Sequence, residues 1–275
     1  MPWSNTMSDV PGELLDGLAS LGMRTPHDAF RAFLSHAIKQ RLGPVQLLEQ
    51  LVALERRERD GRNLMRRTRT AKLGKVTPLD QFDWSHPQTI DRARIDHLLS
   101  LDFVSAGENV LLRGPSGVGK TTLATYLGLE ALRAGHTVHF CTFAEALAEL
   151  LKQESLPALE RRLRRYTTPT LLIIDEIGYL PCDTAAADLL FNIVSRRHES
   201  RSIVITTNLS FKQWGTLFAG AACVAALVDR FAQHCHTIDI VADSWRQKHA
   251  LAQAAPDTSP RSTPAPRRRA AKDTQ

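Results

Sequence analysis

The stretch NVLLRGPSGVGKTT, Asn109 to Thr122, decides how the chain is read. Val110, Leu111 and Leu112 form a short apolar run of the kind that makes a buried parallel strand. GPSGVGKT follows, from Gly114 to Thr121, and fits the P-loop pattern G-x-x-x-x-G-K-[ST] in full. These residue types suit one task, the holding of phosphate oxygens. Gly114, Gly117 and Gly119 let the backbone turn sharply around Pro115, Ser116 and Val118, so that several N–H groups converge. The N-terminus of the helix that follows adds its partial positive charge. Lys120 is placed to reach the β- and γ-phosphates of a nucleotide, and the Thr121 hydroxyl to ligate Mg²⁺, with Thr122 closing the set. A chance glycine-rich turn is the alternative, but it gives no reason for the motif to sit between a strand and a helix.

Downstream, TLLIIDE (Thr170–Glu176) reads as a central strand with two acids at its carboxyl end, where open α/β sheets bind ligands. This is a Walker B pattern. Asp175 is expected to hold Mg²⁺, directly or through water, and Glu176 to act as general base on the attacking water. Two acids after a strand also serve as a helix cap; the P-loop upstream favours the chemical role. SIVITTN (Ser202–Asn208) is a further apolar strand with polar residues at its end. Asn208 is positioned to hydrogen-bond the γ-phosphate or its attacking water, a turn cap being the alternative. Strands are also expected over Thr137–Phe143 and His236–Val241. Helices are expected around Ile90–Phe103, after the P-loop until Gly135, twice within residues 144–166, over 184–199, and up to LVDRF (Leu227–Phe231). Such alternation implies a parallel sheet with helices on both faces.

The 275 residues allow one or two domains, and a composition 43% hydrophobic and 23% charged is that of a soluble globular chain. No apolar run approaches the ~20 residues needed to span a bilayer, so no membrane association is expected. MPWSNTMSDV lacks the basic-then-apolar pattern of a signal peptide. The four cysteines have no zinc-type spacing, and His234-Cys235-His236 reads as a packed loop; a cytoplasmic location fits best.

The net charge of +6 is unevenly spread: residues 44–76 hold nine Lys/Arg against four Asp/Glu, and residues 251–275 hold five against two. Local basic character points to an anionic polymer as partner. Residues 9–76 read as helices. Leu14, Leu15, Leu18 and Leu21 keep helical spacing until Gly22, and TPHD (Thr25–Asp28) is a start signal with Thr25 as N-cap. Gly43 stops that helix and Pro44 opens a third, with Leu47, Leu48, Leu51 and Leu54 on one side. Past Leu54 arginines take over. Arg59, Arg62, Arg66 and Arg69 are three, four and three residues apart and share one face, with Lys72 beyond them. That face suits successive phosphates of double-stranded DNA without base readout. A solvated basic helix with i,i+4 partners is the alternative, but Glu55, Glu58 and Asp60 are too few to pair every arginine.

The order of these motifs resembles a known family. LLEQLVALE (Leu47–Glu55) and an arginine run precede GPSGVGKTT, LLIIDEIGYLP, ITTN, DRF and SWR. Over about residues 10–250 this resembles the IstB-type transposition helper ATPases of bacterial insertion sequences, AAA+ proteins related to the helicase loader DnaC and the initiator DnaA. The resemblance implies an AAA+ P-loop NTPase with a five-stranded parallel sheet and a small all-α region in front. It implies ATP and Mg²⁺ as cofactors, homo-oligomers on DNA with ATP between subunits, and a transposase as partner. It gives Asn208 the sensor position and Arg230 the arginine finger that reaches a neighbour's ATP, with Arg196 or Arg197 as weaker candidates. Arg246 matches the Arg that follows Ser-Tyr in the family, although Trp245 stands here in place of the Tyr.

The expected division is a helical DNA-binding region over 1–76, an ATPase domain over 77–250 and a disordered basic tail over 251–275. The expected function is an ATP-dependent regulator of transposition that presents DNA to a transposase. A DnaC-like replicative helicase loader is the alternative, and a P-loop small-molecule kinase is disfavoured because TTN and DRF have no role there.

Overall fold

A computed structural model of the chain describes residues 12–179, 182–218 and 220–245. Its centre is a five-stranded, all-parallel sheet of β1 (Asn109–Arg113), β2 (Val138–Thr142), β3 (Leu171–Ile177), β4 (Ser202–Thr207) and β5 (Cys235–Asp239), in the order β2-β3-β4-β1-β5. This is the fold class the sequence implied. The strands are apolar on both faces because both faces are covered. Val110, Leu112, Leu171, Ile173 and Val204 point into one core, and Leu111, Leu172, Ile174, Ile203 and Ile205 into the other.

The first core is closed by the P-loop helix α6 (Lys120–Arg133) with α4 (Arg92–Leu98) and α5 (Asp102–Ala106). The second is closed by α7 (Phe143–Leu151), α8 (Leu156–Thr167), α9 (Thr184–Arg197), α10 (Phe211–Leu217) and α11 (Val224–Ala232). Local chemistry sets the ends. Gly135, at φ 98, ends α6, with the His136 N–H bonded to the Ala131 carbonyl at 2.9 Å. Thr142 and Glu145 form a capping box on α7, and Asp183 caps α9 through the Ala186 N–H.

In front of the sheet come α1 (Gly12–Ser20), α2 (His27–Lys39) and the long α3 (Pro44–Ala71). The far end of α3 is part of the first core: Ala71 and Leu73 are buried there, and Arg67 donates to the Leu132 carbonyl of α6 at 3.1 Å. The near end holds α2 through Glu55, a buried carboxylate. It accepts from the Arg24 N–H (2.9 Å), the Thr25 hydroxyl (2.7 Å) and Arg62 (3.0 Å).

Three local expectations are corrected. The N-cap of α2 is Pro26, not Thr25, because the Thr25 hydroxyl is committed to Glu55. The single helix expected over Ile90–Phe103 is two, since Leu101 adopts a left-handed conformation (φ 63) between them. Helix α10 was not anticipated, although Ser210 and Gln213 form the capping box that starts it.

Candidate nucleotide site

The carboxyl ends of β1, β3 and β4 converge on a cleft of ≈ 260 Å³ lined by Ser116 to Thr122, Glu176, Tyr179 and Thr206. The P-loop turns tightly here. Gly117 and Gly119 have φ of 80 and 96, and a Cβ at Gly119 would lie 2.6 Å from the Phe82 ring. Lys120 is 5% exposed, and its ammonium donates to the Gly114 and Pro115 carbonyls at 2.8 and 2.7 Å. Its charge is thereby held inside the loop, beside the backbone N–H groups that suit phosphate oxygens.

Behind the loop, polar side chains are bonded in series. The Thr121 hydroxyl lies 3.1 and 3.0 Å from the two Asp175 carboxylate oxygens. The Thr206 hydroxyl donates to the same carboxylate and accepts from the Glu176 N–H at 3.0 Å. A register shift between β3 and β4 falls at Asp175–Glu176, and Glu176 takes a left-handed conformation, φ 65. The shift turns successive side chains in different directions: Asp175 stays buried, whereas Glu176 is exposed on the cleft wall. Such a backbone costs on the order of 1–3 kcal/mol, which the Thr206 bond helps to offset. Thr121 and Asp175 together offer hard oxygen donors on one side of the loop, the donor set Mg²⁺ prefers.

Thr206 was not singled out from the sequence. Its signal was a polar residue on a face of β4 that is otherwise apolar at Val204. The opposite wall was also missed. Thr77, Gln81, Phe82, Asp83 and His86 line the cleft, as does Trp245. His86 donates from Nε2 to the Asp243 carbonyl, 2.9 Å away, and packs edge-on against Trp245 with ring centroids 4.8 Å apart. The backbone N–H of Trp245 donates to the Gly117 carbonyl at 3.2 Å. The segment between α3 and α4 thus forms a wall of the cleft.

Residues 17–253 match the family described as IstB-like ATP binding protein. The chain belongs to that family. It is 38% identical over 217 residues to the insertion sequence IS21 putative ATP-binding protein of Pseudomonas aeruginosa, covering 79% of this chain and 82% of the relative. It is 32% identical to the IS5376 counterpart of Geobacillus stearothermophilus, over 82% of this chain and 90% of the relative. Similar solved structures include DnaI, with TM-score 0.49 and 20% identity over 62% of this chain and 90% of that one. AMPPCP-bound DnaA from Aquifex aeolicus has TM-score 0.49 and 21% identity, over 66% and 56%.

The remaining residues expected from the IstB-like pattern fall in different places. Asn208 is exposed just past β4, packed against Gly178, where an added Cβ would lie 3.0 Å from its Oδ1. Arg230 is outside the cleft: it bonds the Ser195 hydroxyl of α9 and lies over the Phe191 ring at 4.9 Å. Arg197 is corrected from a weaker finger candidate to a structural anchor. It is fully buried, and its guanidinium donates to the carbonyls of Tyr166, Pro169, Thr170 and Ser202. Arg196 forms a fork with Glu160 at 2.6 and 2.7 Å. Arg246 lies outside the described residues, as does the tail.

Of the basic row, Arg59, Arg66, Arg69 and Lys72 are exposed, and Arg62 is half-buried beside Glu55. In the His234–His236 triplet, His236 pairs with Glu108 at 2.7 Å, and burial pushes the Cys235 thiol up to about 12.

Proposed function

We propose that the chain is an ATPase that builds an assembly on double-stranded DNA when ATP is bound between its protomers, presents that DNA to a partner transposase, and resets on hydrolysis. The observation that carries this reading is the bonded series Thr121–Asp175–Thr206–Glu176 beside the P-loop lysine. It places a phosphate cradle, a pair of hard oxygen donors and an exposed carboxylate in one cleft. In this reading Lys120 exchanges its two loop carbonyls for β- and γ-phosphate oxygens. Thr121 and Asp175 would hold Mg²⁺, which would supply charge neutralisation at the phosphates. Glu176 accepts the proton of the attacking water, oriented with help from Asn208. Arg230, directed away from its own cleft, serves a neighbouring subunit's nucleotide, where a guanidinium stabilises the charge of the transferring group.

The insertion-sequence relatives support a role beside a transposase. The exposed arginines of α3 support DNA as the surface on which protomers assemble, with residues 1–76 as the DNA-binding arm and 77–250 as the ATPase body. ATP is then a population switch, favouring the state that binds DNA. Imaging the purified chain on duplex DNA in ATP and in ADP tests the reading, with Lys120→Ala as the decisive variant. Assemblies should form with ATP and vanish in Lys120→Ala; assemblies that persist in the variant overturn the role given to the cleft.

A further inference from the structure

A second cavity, ≈ 450 Å³, lies beside the amino end of the edge strand β2, away from the strand ends that carry the P-loop. Helix α3 supplies Arg66, Arg67 and Thr70 to its wall, α8 supplies Arg164 and Arg165, and β2 supplies His139. No acidic residue lines it. Four guanidinium groups around one hollow, of which Arg165 is paired with Glu149, leave a net positive charge there that favours an anion.

Two further observations point the same way. His139 is 4% exposed, yet its Nε2 is buried without a hydrogen-bond partner among the described residues, and the Arg67 Nε is likewise unpaired. Buried polar atoms of this kind cost about 1–3 kcal/mol each and are uncommon without a function. Burial, with Arg165 and Lys72 nearby, pushes the His139 imidazole down to about 4, so the ring is neutral near pH 7. With its hydrogen on Nε2 it is a donor to an anion.

The groups that could oppose an anion are already engaged. Glu149, close to the cavity, is held by Arg162 and Arg165 at 3.0 Å each and by the Tyr166 hydroxyl at 2.6 Å. The carbonyls at the C-terminus of α8 would present a negative dipole end. They are covered by the guanidinium groups of Arg197, on Tyr166 and Pro169, and of Arg201, on Thr167.

We infer that this cavity seats a backbone phosphate of double-stranded DNA, so that the duplex passes from α3 onto the ATPase body at Arg164. The inference rests on the reading that α3 meets DNA. Arg66 is what ties the two surfaces together, because it stands both in the exposed row of α3 and in the cavity wall. A strand lying along that row therefore passes the cavity mouth.

The test is fluorescence anisotropy of the full chain with MgATP and a mixed-sequence duplex over a salt series. The variants are Arg164→Ala, Arg69→Ala and Arg161→Ala, the last an exposed arginine of α8 outside the cavity. Arg164→Ala should weaken binding several-fold on every sequence and lower the log–log salt slope by about one, so that its deficit shrinks about fourfold between 50 and 200 mM salt. Arg161→Ala should leave the slope unchanged, and nucleotide binding should be equal in all three. If Arg164→Ala behaves like Arg161→Ala while Arg69→Ala loses slope, the cavity is not on the DNA path although α3 is. If neither Arg69→Ala nor Arg164→Ala alters the slope, the α3 reading itself fails and the cavity proposal goes with it.

Discussion

At the carboxyl ends of β1, β3 and β4 the polar side chains are bonded to one another in series, whereas along the outer half of α3 the bonds are single and scattered, such as Arg59 to the Gly22 carbonyl and Arg66 to Asn63, both at 3.4 Å. Thr121, Asp175, Thr206 and the Glu176 N–H form an unbroken series. On α3 only Arg62 has a strong side-chain partner in Glu55, while Arg57 and Arg69 have none among the described residues. The difference reflects two kinds of task. Positioning a water and a metal needs groups fixed to within a fraction of an ångström, which only mutual bonding supplies. Attracting a phosphate backbone needs charge that is free to move with its partner.

The comparison breaks most sharply at Glu176. If it is the general base, Glu176→Gln should lower ATP turnover by about 10²–10⁴-fold while ATP still binds and assemblies persist on DNA. Steady-state phosphate release and nucleotide binding, measured on one preparation, check this. Turnover within a few-fold of the parent would move the proton acceptor elsewhere.

The next effect belongs to Thr206, which is fully buried and touches no phosphate in the proposed reading. Thr206→Val keeps the shape but removes the acceptor for the Glu176 N–H and the donor to Asp175. The left-handed turn at Glu176 then loses its support. Turnover should fall about 10- to 100-fold, with ATP affinity changed less, because the loss is one of placement. Thr206→Ser restores the hydroxyl and should recover most of the rate. Equal rates for Val and Ser would show that the series is not needed.

The positions of these groups were only partly legible in the sequence. The P-loop and the acid pair could be read because each is contiguous and its spacing carries its geometry. The sheet could be read because its strands are apolar runs bounded by polar ends. The bulge at Asp175–Glu176 could not, since it arises from the pairing of β3 with β4, which no local pattern encodes. For the same reason Thr206 stayed hidden behind Asn208, and Phe82, His86 and Trp245, far apart in the chain, were not seen as one wall. Arg197 misled because a guanidinium at the end of a helix looks available from sequence, and only the fold shows four carbonyls around it.

The smallest effect tests whether the arginines of α3 are one set or two. Glu55 would be raised by its burial, but the bonds from Thr25, the Arg24 N–H and Arg62 hold it below the usual carboxylate value. A lowered carboxylate stabilises the fold above about pH 4.5, and that contribution is lost as the pH falls through the lowered value. Arg62 is partly exposed, at 38%, so the pair is discounted for screening, and two other donors remain when it is removed. Arg62→Ala should therefore cost about 0.5–1 kcal/mol and loosen α2 from α3, seen as faster amide exchange in α2. Arg69→Ala should leave that exchange untouched and instead reduce DNA affinity and its salt slope. If Arg62→Ala leaves α2 unchanged and lowers the slope as Arg69→Ala does, then Arg62 belongs to the DNA-facing row, and Glu55 is held well enough by Thr25 and the Arg24 N–H alone.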